Sequence, residues 1–170
     1  MHNLTPIETE YKGYRFRSRL EARWAVFFDS LGIKWLYEQE GFDIDGVWYL
    51  PDFYLVDSAS FFEVKGVMTE KDTLKIMALI DTGHPVTIGF DNGKFISCDN
   101  WSENYEIVDE RSSWLCQCNW CGNYWFMGSN GVYTCQCCGA HDGDHHFSIV
   151  MQGDGNNKLW DPARKARFEH

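Results

Sequence analysis

The apolar residues of the first hundred positions form two helical stripes separated by short strand-like segments. The first stripe recurs every three or four residues between Ser18, typical of a helix start, and Gly32, typical of a helix end. The same spacing predicts a second helix over residues 69–82. Aromatic and β-branched residues bounded by turn residues indicate strands elsewhere. The predicted strands are residues 33–38, 48–55, 61–66 and 86–90.

The second and third predicted strands bring two carboxylates and an amine together. Residues 56–60 are short enough to be a hairpin loop, which places Asp52 beside Glu63. Side chains two residues apart in a strand point to the same face, so Glu63 and Lys65 lie together while their neighbours face the core. The order helix, three strands, helix, strand predicts an α/β fold around this hairpin.

These three side chains suit metal-assisted chemistry at a phosphate. Two hard carboxylates are typical ligands of Mg²⁺, which binds through one or two carboxylates together with water and substrate phosphate. A nearby lysine can position or deprotonate the attacking water or offset charge at the phosphate. The alternative is a surface hairpin with a Glu–Lys pair. Asp52 at the head of the preceding strand favours the metal site.

Pro51-Asp52 followed by Glu63-Val64-Lys65 resembles the signature of the PD-(D/E)XK nuclease superfamily. The resemblance covers about the first ninety residues. It implies a restriction-endonuclease-like core in the order αβββαβ, with a mixed sheet flanked by helices. It also implies that Asp52, Glu63 and the carbonyl of Val64 bind a catalytic Mg²⁺ or Mn²⁺, and that Lys65 acts on the water.

Glu21 has two interpretations. Ser18-x-x-Glu21 matches a capping box, in which the glutamate reaches back to the start of its own helix. The resemblance instead implies that a glutamate on the first helix completes the metal site, which makes Glu21 a catalytic residue and a magnesium ligand. We favour the catalytic interpretation.

The charge of the chain is acidic in total but locally basic. A net charge of −10 argues against a general nucleic-acid binder and suits a catalytically silent adaptor or inhibitor that binds proteins. The arginines around the first helix either form a solvated helix face or bind phosphates near the scissile bond, and we favour phosphate binding. The candidate nucleic-acid-binding residues are Arg15, Arg17, Arg19 and Arg23.

Cysteines dominate the second half of the chain. Two Cys-x-x-Cys-Gly turns bracket a short segment and resemble a zinc ribbon, whose four thiolates hold a structural Zn²⁺. Cys116 or Cys137 could replace one of the four, and iron could replace zinc. A glycine follows the second cysteine of each Cys-x-x-Cys pair and allows the tight turn of the backbone around sulfur. This favours the cysteines of the two pairs over Cys116 and Cys137 as ligands. The proposed zinc ligands are Cys118, Cys121, Cys135 and Cys138.

The predicted protein is a metal-dependent DNA endonuclease that acts on duplex or branched DNA. The zinc ribbon, with Trp120, Tyr124 and Trp125 expected to be exposed, would bind DNA or a partner protein. Two nicks on opposite strands would require a homodimer. An RNA nuclease is the alternative enzyme. The predicted units are a nuclease-like domain at 1–99, an acidic linker at 100–113, the ribbon at 114–150 and a tail with a short basic helix at 151–170.

Two further expectations concern the setting of the protein. No apolar run is long enough to span a bilayer and no signal peptide opens the chain, so we expect a cytoplasmic protein without a membrane partner. Small nucleases of this build resemble proteins often found on phages and mobile elements.

Overall fold

The computed structural model describes residues 6–44, 46–98, 110–128, 134–141 and 146–168. These residues form an α/β structure with a mixed sheet and few helices. The helices are α1 (Arg19–Leu31), α2 (Glu70–Asp81) and α3 (Asp161–Lys165). The strands are β1 (Thr9–Tyr11), β2 (Tyr14–Phe16), β3 (Trp35–Tyr37), β4 (Phe42–Ile44), β5 (Val47–Tyr49), β6 (Phe53–Leu55), β7 (Ser60–Val64), β8 (Val86–Gly89), β9 (Phe95–Cys98), β10 (Ser113–Cys118), β11 (Tyr124–Gly128) and β12 (Phe147–Gln152).

The main sheet has five strands in the order β3-β6-β7-β8-β9. Strands β7 and β8 are parallel and are connected through α2, whereas the other neighbouring pairs are antiparallel. The predictions of an α/β fold and a mixed sheet are therefore confirmed. The assignment to a restriction-endonuclease-like core stays a prediction.

The two faces of β7 pack against different helices. Phe62 and Val64 belong to a core cluster with Trp24 and Phe28 of α1. Phe61 points the other way, into a cluster built on α2. Because neighbouring side chains alternate across a strand, Glu63 occupies the α2 side of the sheet, where it lies at the end of the strand rather than deep in the cluster.

The single strand predicted over residues 48–55 is wrong. Strand β5 pairs with β4 in a separate hairpin, and β6 joins the main sheet. Pro51 lies between them and has no amide hydrogen with which to continue a strand ladder. The break frees the Leu50-Pro51-Asp52 segment to turn Asp52 into the end of the main sheet.

A second sheet, in the order β11-β10-β12, contains Cys116 and Cys118, and the remaining cysteines of this region lie between its strands. Its central strand β10 was not predicted, and Ser113, placed in the predicted linker, is a buried part of it. The rest of that linker up to residue 109 lies outside the described residues.

The second sheet and the tail share a core with the main sheet. The ring of Phe126 in β11 lies 5.2 Å from that of Phe62 and 4.9 Å from that of Phe95. Trp160, beside α3, packs 4.5 Å from Trp24. The predicted domain boundaries stay a prediction, but aromatic contacts cross them.

We expect Phe126→Ala to destabilise the whole chain by about 3 kcal/mol, because it removes a ring that fills the junction between the two sheets. Chemical denaturation followed by circular dichroism measures the change. Trp120→Ala is the matched control, since Trp120 is 69% exposed and its removal leaves no cavity. Equal stability of both variants would contradict shared packing.

Candidate metal centres

One cleft collects the residues that the sequence singled out for catalysis. Its volume is about 590 Å³, and it opens at the ends of β6 and β7 beside the start of α1. We call it the carboxylate cleft. Its charged lining residues are Arg17, Glu21, Asp52, Glu63, Lys65, Asp72 and Lys75.

Asp52 and Glu63 are held against each other by backbone amides. The Asp52 Oδ2 atom accepts a hydrogen bond of 2.7 Å from the Val64 N–H. The Glu63 Oε2 atom accepts one of 3.2 Å from the Asp52 N–H. Each residue is only 3% exposed. The hairpin therefore fixes two buried carboxylates side by side, as the strand pattern predicted.

The surroundings of Asp52 favour a bound cation or a bound proton. Burial raises the pKa of Asp52 well above its ordinary value, and the charges of Glu63 and Glu21 raise it further. The Val64 N–H and Arg17 oppose this increase without cancelling it. A hard divalent cation fits these oxygen donors, because it would relieve the repulsion that raises the pKa.

Two basic side chains partly neutralise the carboxylates. Lys65 Nζ lies 2.7 Å from Glu63 Oε1 and 3.1 Å from Asp72 Oδ1. Arg17 Nη2 lies 2.8 Å from Asp52 Oδ1, and its Nε lies 2.7 Å from Glu38 Oε1. Neither Asp72 nor Glu38 was predicted to belong to the site. One lysine and one arginine therefore bracket the carboxylate pair.

The environment of Lys65 favours a role in positioning water or phosphate over a role as a general base. Burial lowers the pKa of Lys65, but the charge and hydrogen bonds of Glu63 and Asp72 outweigh burial and raise it. The side chain is therefore an ammonium group at neutral pH. A permanent ammonium can orient water or contact a phosphate, but it does not remove a proton.

Glu21 combines features of both interpretations. Its Oε1 accepts from the Ser18 hydroxyl at 2.7 Å, while its Oε2 accepts from the Arg17 N–H at 3.1 Å and the Tyr37 hydroxyl at 2.7 Å. Glu21 therefore helps to cap α1. The backbone N–H that it binds belongs to Arg17, however, and not to the N-cap residue Ser18 as in a capping box. Glu21 is also 6% exposed, lines the carboxylate cleft and contributes to the raised pKa of Asp52.

The four candidate arginines do not share one location. Arg17 reaches the cleft, whereas Arg15 pairs with Glu8 and Arg23 lies 3.8 Å from Asp91. Arg19, at the start of α1, is not among the residues that line the cleft. Contact with nucleic acid stays a prediction for all four, and Arg17 is the one beside the carboxylates.

The four proposed zinc ligands converge. Their sulfur atoms all lie within 4.8 Å of one another, so Cys118, Cys121, Cys135 and Cys138 could hold a metal such as zinc. The two turns have the same form: Gly122 N–H donates to the Cys118 carbonyl, and Gly139 N–H donates to the Cys135 carbonyl, each glycine having positive φ. This geometry is the reason for the glycine after each pair.

The backbone around Cys118 also favours its thiolate. Although burial raises the pKa of Cys118, the N–H groups of Cys121 and Trp120 lower it to about 7. The two alternative cysteines, Cys116 and Cys137, are not part of the cluster of four sulfur atoms. Burial raises the pKa of Cys116 to about 11, and the exposed Cys137 Sγ faces the Asp57 carbonyl at 3.8 Å.

The three aromatic residues predicted to form a binding surface on the ribbon differ in their exposure to solvent. Trp120 is 69% exposed, Tyr124 is half-buried and Trp125 is buried. The prediction of an exposed Trp125 is therefore wrong, because that ring packs against the cysteine-rich cluster of the second sheet.

Within the part of the chain that the structure describes, no helix has the length and apolar character needed to cross a membrane. The chain matches no protein-family model, no curated protein and no solved structure. The two centres are therefore interpreted from the chemistry of their own residues.

Proposed function

We propose that the protein is a metal-dependent endonuclease that hydrolyses phosphodiester bonds of DNA. The observation that carries this proposal is the pair of buried carboxylates, Asp52 and Glu63, fixed side by side in a cleft that also contains the Lys65 ammonium. Such a pair of acids is unfavourable without a cation, and the cleft is open enough to admit a phosphate.

Asp52 and Glu63 would hold Mg²⁺ or Mn²⁺, with the Val64 carbonyl and Glu21 as further ligands. A divalent ion bound there would polarise a phosphoryl oxygen and lower the pKa of a bound water. Lys65, fixed between Glu63 and Asp72, would orient the attacking water or offset negative charge on the phosphate.

Arg17 pairs with a carboxylate of the cleft and is also exposed where a substrate would enter. Its guanidinium pairs with Asp52 and Glu38, yet its side chain is 57% exposed. A guanidinium with that exposure can contact a phosphate while it neutralises the buried acid. This role supports the proposal, although the net charge of the chain is −10.

The test is a cleavage assay on plasmid DNA and on labelled duplex, branched and single-stranded oligonucleotides, with and without added Mg²⁺ or Mn²⁺. We expect cleavage that requires the added ion. RNA competitor distinguishes a DNA nuclease from the alternative RNA nuclease. Cleavage that does not require the added ion, or the absence of cleavage in every condition, would overturn the proposal.

A silent adaptor is the second candidate, because a net charge of −10 suits protein binding better than DNA binding. Its zinc ribbon would then serve a protein partner. The intact set of Asp52, Glu63 and Lys65 in one cleft argues for the nuclease, since an adaptor has no need for two buried carboxylates that repel each other.

The raised pKa of Asp52 predicts that magnesium stabilises the protein more strongly as pH rises. An acid with a raised pKa in the folded state stabilises the fold at low pH, and this contribution is lost as pH rises through that pKa. Mg²⁺ competes with the proton, so the increase in Tm on adding Mg²⁺ should grow from about pH 5 to about pH 8. Asp52→Asn should remove this trend, and an equal shift at both pH values would contradict it.

A further inference from the structure

An exposed tryptophan stands at the edge of the carboxylate cleft. Trp48, in the β4–β5 hairpin, lines the cleft and is 64% exposed. A Cβ atom at Gly41 would lie 2.1 Å from Trp48 Cζ2, so the indole lies directly against the backbone of Gly41. The ring is therefore held in position while much of its surface faces solvent.

The surface around this ring combines apolar and basic groups. Between the β4–β5 hairpin and α2 lies an apolar groove of about 270 Å³, and Tyr49 and Lys75 line both this groove and the carboxylate cleft. Val47 is 46% exposed and Leu74 is 63% exposed at its rim. We call this surface the Trp48 face. It consists of Val47, Trp48, Lys71, Leu74 and Lys75.

The two lysines of the Trp48 face are available to an anion. Lys75 Nζ lies 5.9 Å from the centre of the Tyr49 ring, and Lys71 is exposed. Neither amine has an ion-pair partner among the carboxylates that the structure describes. Lys65, by contrast, is paired with two carboxylates in the cleft. Among the described residues, the positive charge of these two amines is therefore not paired with a carboxylate.

We propose that the Trp48 face binds an unpaired segment of the DNA substrate, with the indole stacked on a nucleobase and Lys71 and Lys75 contacting neighbouring phosphates. This inference rests on the proposed nuclease function and names the substrate class of the same cleft. A held aromatic ring with basic neighbours is the arrangement that single strands favour.

An unpaired strand fits better than a continuous duplex. Paired DNA presents phosphates and groove edges, and its base faces are hidden by stacking. An exposed indole gains contact area only from a base whose face is free. Since Lys75 borders both the groove and the carboxylate cleft, a strand bound on this face leads directly to Asp52 and Glu63.

The test measures binding without cleavage. Glu63→Gln provides the background that keeps substrates intact, and fluorescence anisotropy follows a labelled single strand of thymidines, a duplex and a duplex with a single-stranded flap. Trp48→Ala should weaken binding of the single strand and the flap about tenfold and leave duplex binding within about twofold. Trp48→Phe, which keeps a ring, should recover much of the lost affinity.

Two further variants sharpen the result. Gly41→Ala keeps the indole but displaces it, so it should weaken single-strand binding in the same direction. Lys71→Gln and Lys75→Gln should each reduce the salt dependence of single-strand binding by about 0.7 in the log–log slope. Val56→Ala trims an exposed apolar side chain in the β6–β7 loop, which lines neither the carboxylate cleft nor the apolar groove, and it should leave binding unchanged.

Three outcomes would overturn the inference: no binding of any oligonucleotide, equal losses on duplex and single strand, or a loss in Val56→Ala but not in Trp48→Ala. A protein partner for this face would produce the first of these. The outcomes are distinct from failure of the proposed function, which is absence of metal-dependent cleavage by the unmodified protein. Binding that depends on Trp48 would support this face even then.

Discussion

Glu63→Gln should lower magnesium-dependent cleavage on the order of 10³-fold, provided that the protein is the nuclease we propose. The substitution keeps the size of the side chain but removes the charge next to Asp52 and Lys65. A divalent ion bound there would lose a ligand, and Lys65 would lose one of the two carboxylates that fix its ammonium group. Initial rates on a labelled oligonucleotide at saturating Mg²⁺ measure the loss.

The matched control is Glu70→Gln. Glu70 is an exposed glutamate at the start of α2 and does not line the carboxylate cleft, so the same chemical change should leave the rate unchanged. Circular dichroism should show that both variants fold. Loss of repulsion with Asp52 offsets the lost contacts of Glu63. Full activity in Glu63→Gln would mean that this carboxylate has no part in the reaction.

Cys135→Ser should cause a large loss of stability. Cys135 is fully buried and its sulfur lies 3.5 Å from that of Cys121 within the quartet. Structural zinc sites contribute about 10–16 kcal/mol of binding free energy that is available only to the folded segment. Because Phe126 and Leu115 join the second sheet to the main core, the loss should extend beyond the turns themselves.

Cys137→Ser is the matched control two residues away. Cys137 is exposed and is outside the quartet, so its replacement should leave both zinc content and Tm unchanged. Metal analysis of the purified proteins should give one zinc per chain for the unmodified protein and for Cys137→Ser, but not for Cys135→Ser. Equal zinc content in all three would exclude Cys135 as a ligand.

The parts of the site that sequence predicted are local. Asp52, Glu63 and Lys65 are connected by a short hairpin, so the alternation of side chains along strands was enough to place them together. The cysteine quartet was predicted for the same reason, since each Cys-x-x-Cys-Gly turn is a unit of five residues.

The parts that sequence missed depend on contacts between distant segments. Arg17 meets Asp52 through the packing of α1 against the sheet, and Tyr37 donates to Glu21 from β3. Neither contact has a spacing that a sequence pattern could reveal. Burial of the Tyr37 hydroxyl, followed by that hydrogen bond, also raises its pKa.

Two errors have identifiable physical reasons. Leu50-Pro51-Asp52 was included in a strand because its flanks are aromatic, although a proline without an amide hydrogen was the signal for a break. Strand β10 was not predicted because Cys116 and Cys118 carry a metal-ligand signal, which hides their second role as apolar residues on one strand. The β4–β5 hairpin that carries Trp48 follows from the first of these corrections.

The central claim is that Asp52 and Glu63 share one divalent ion. Crystals of the zinc-loaded protein soaked in Mn²⁺, with anomalous diffraction recorded at the manganese edge, test it directly. We predict an anomalous peak for a manganese ion within bonding distance of one carboxylate oxygen of each residue. The Arg17 guanidinium should then either leave Asp52 or pair with the Asp52 oxygen that does not bind the ion. A cleft without a manganese peak, with Lys65 and Arg17 as the carboxylates' partners, would contradict the account.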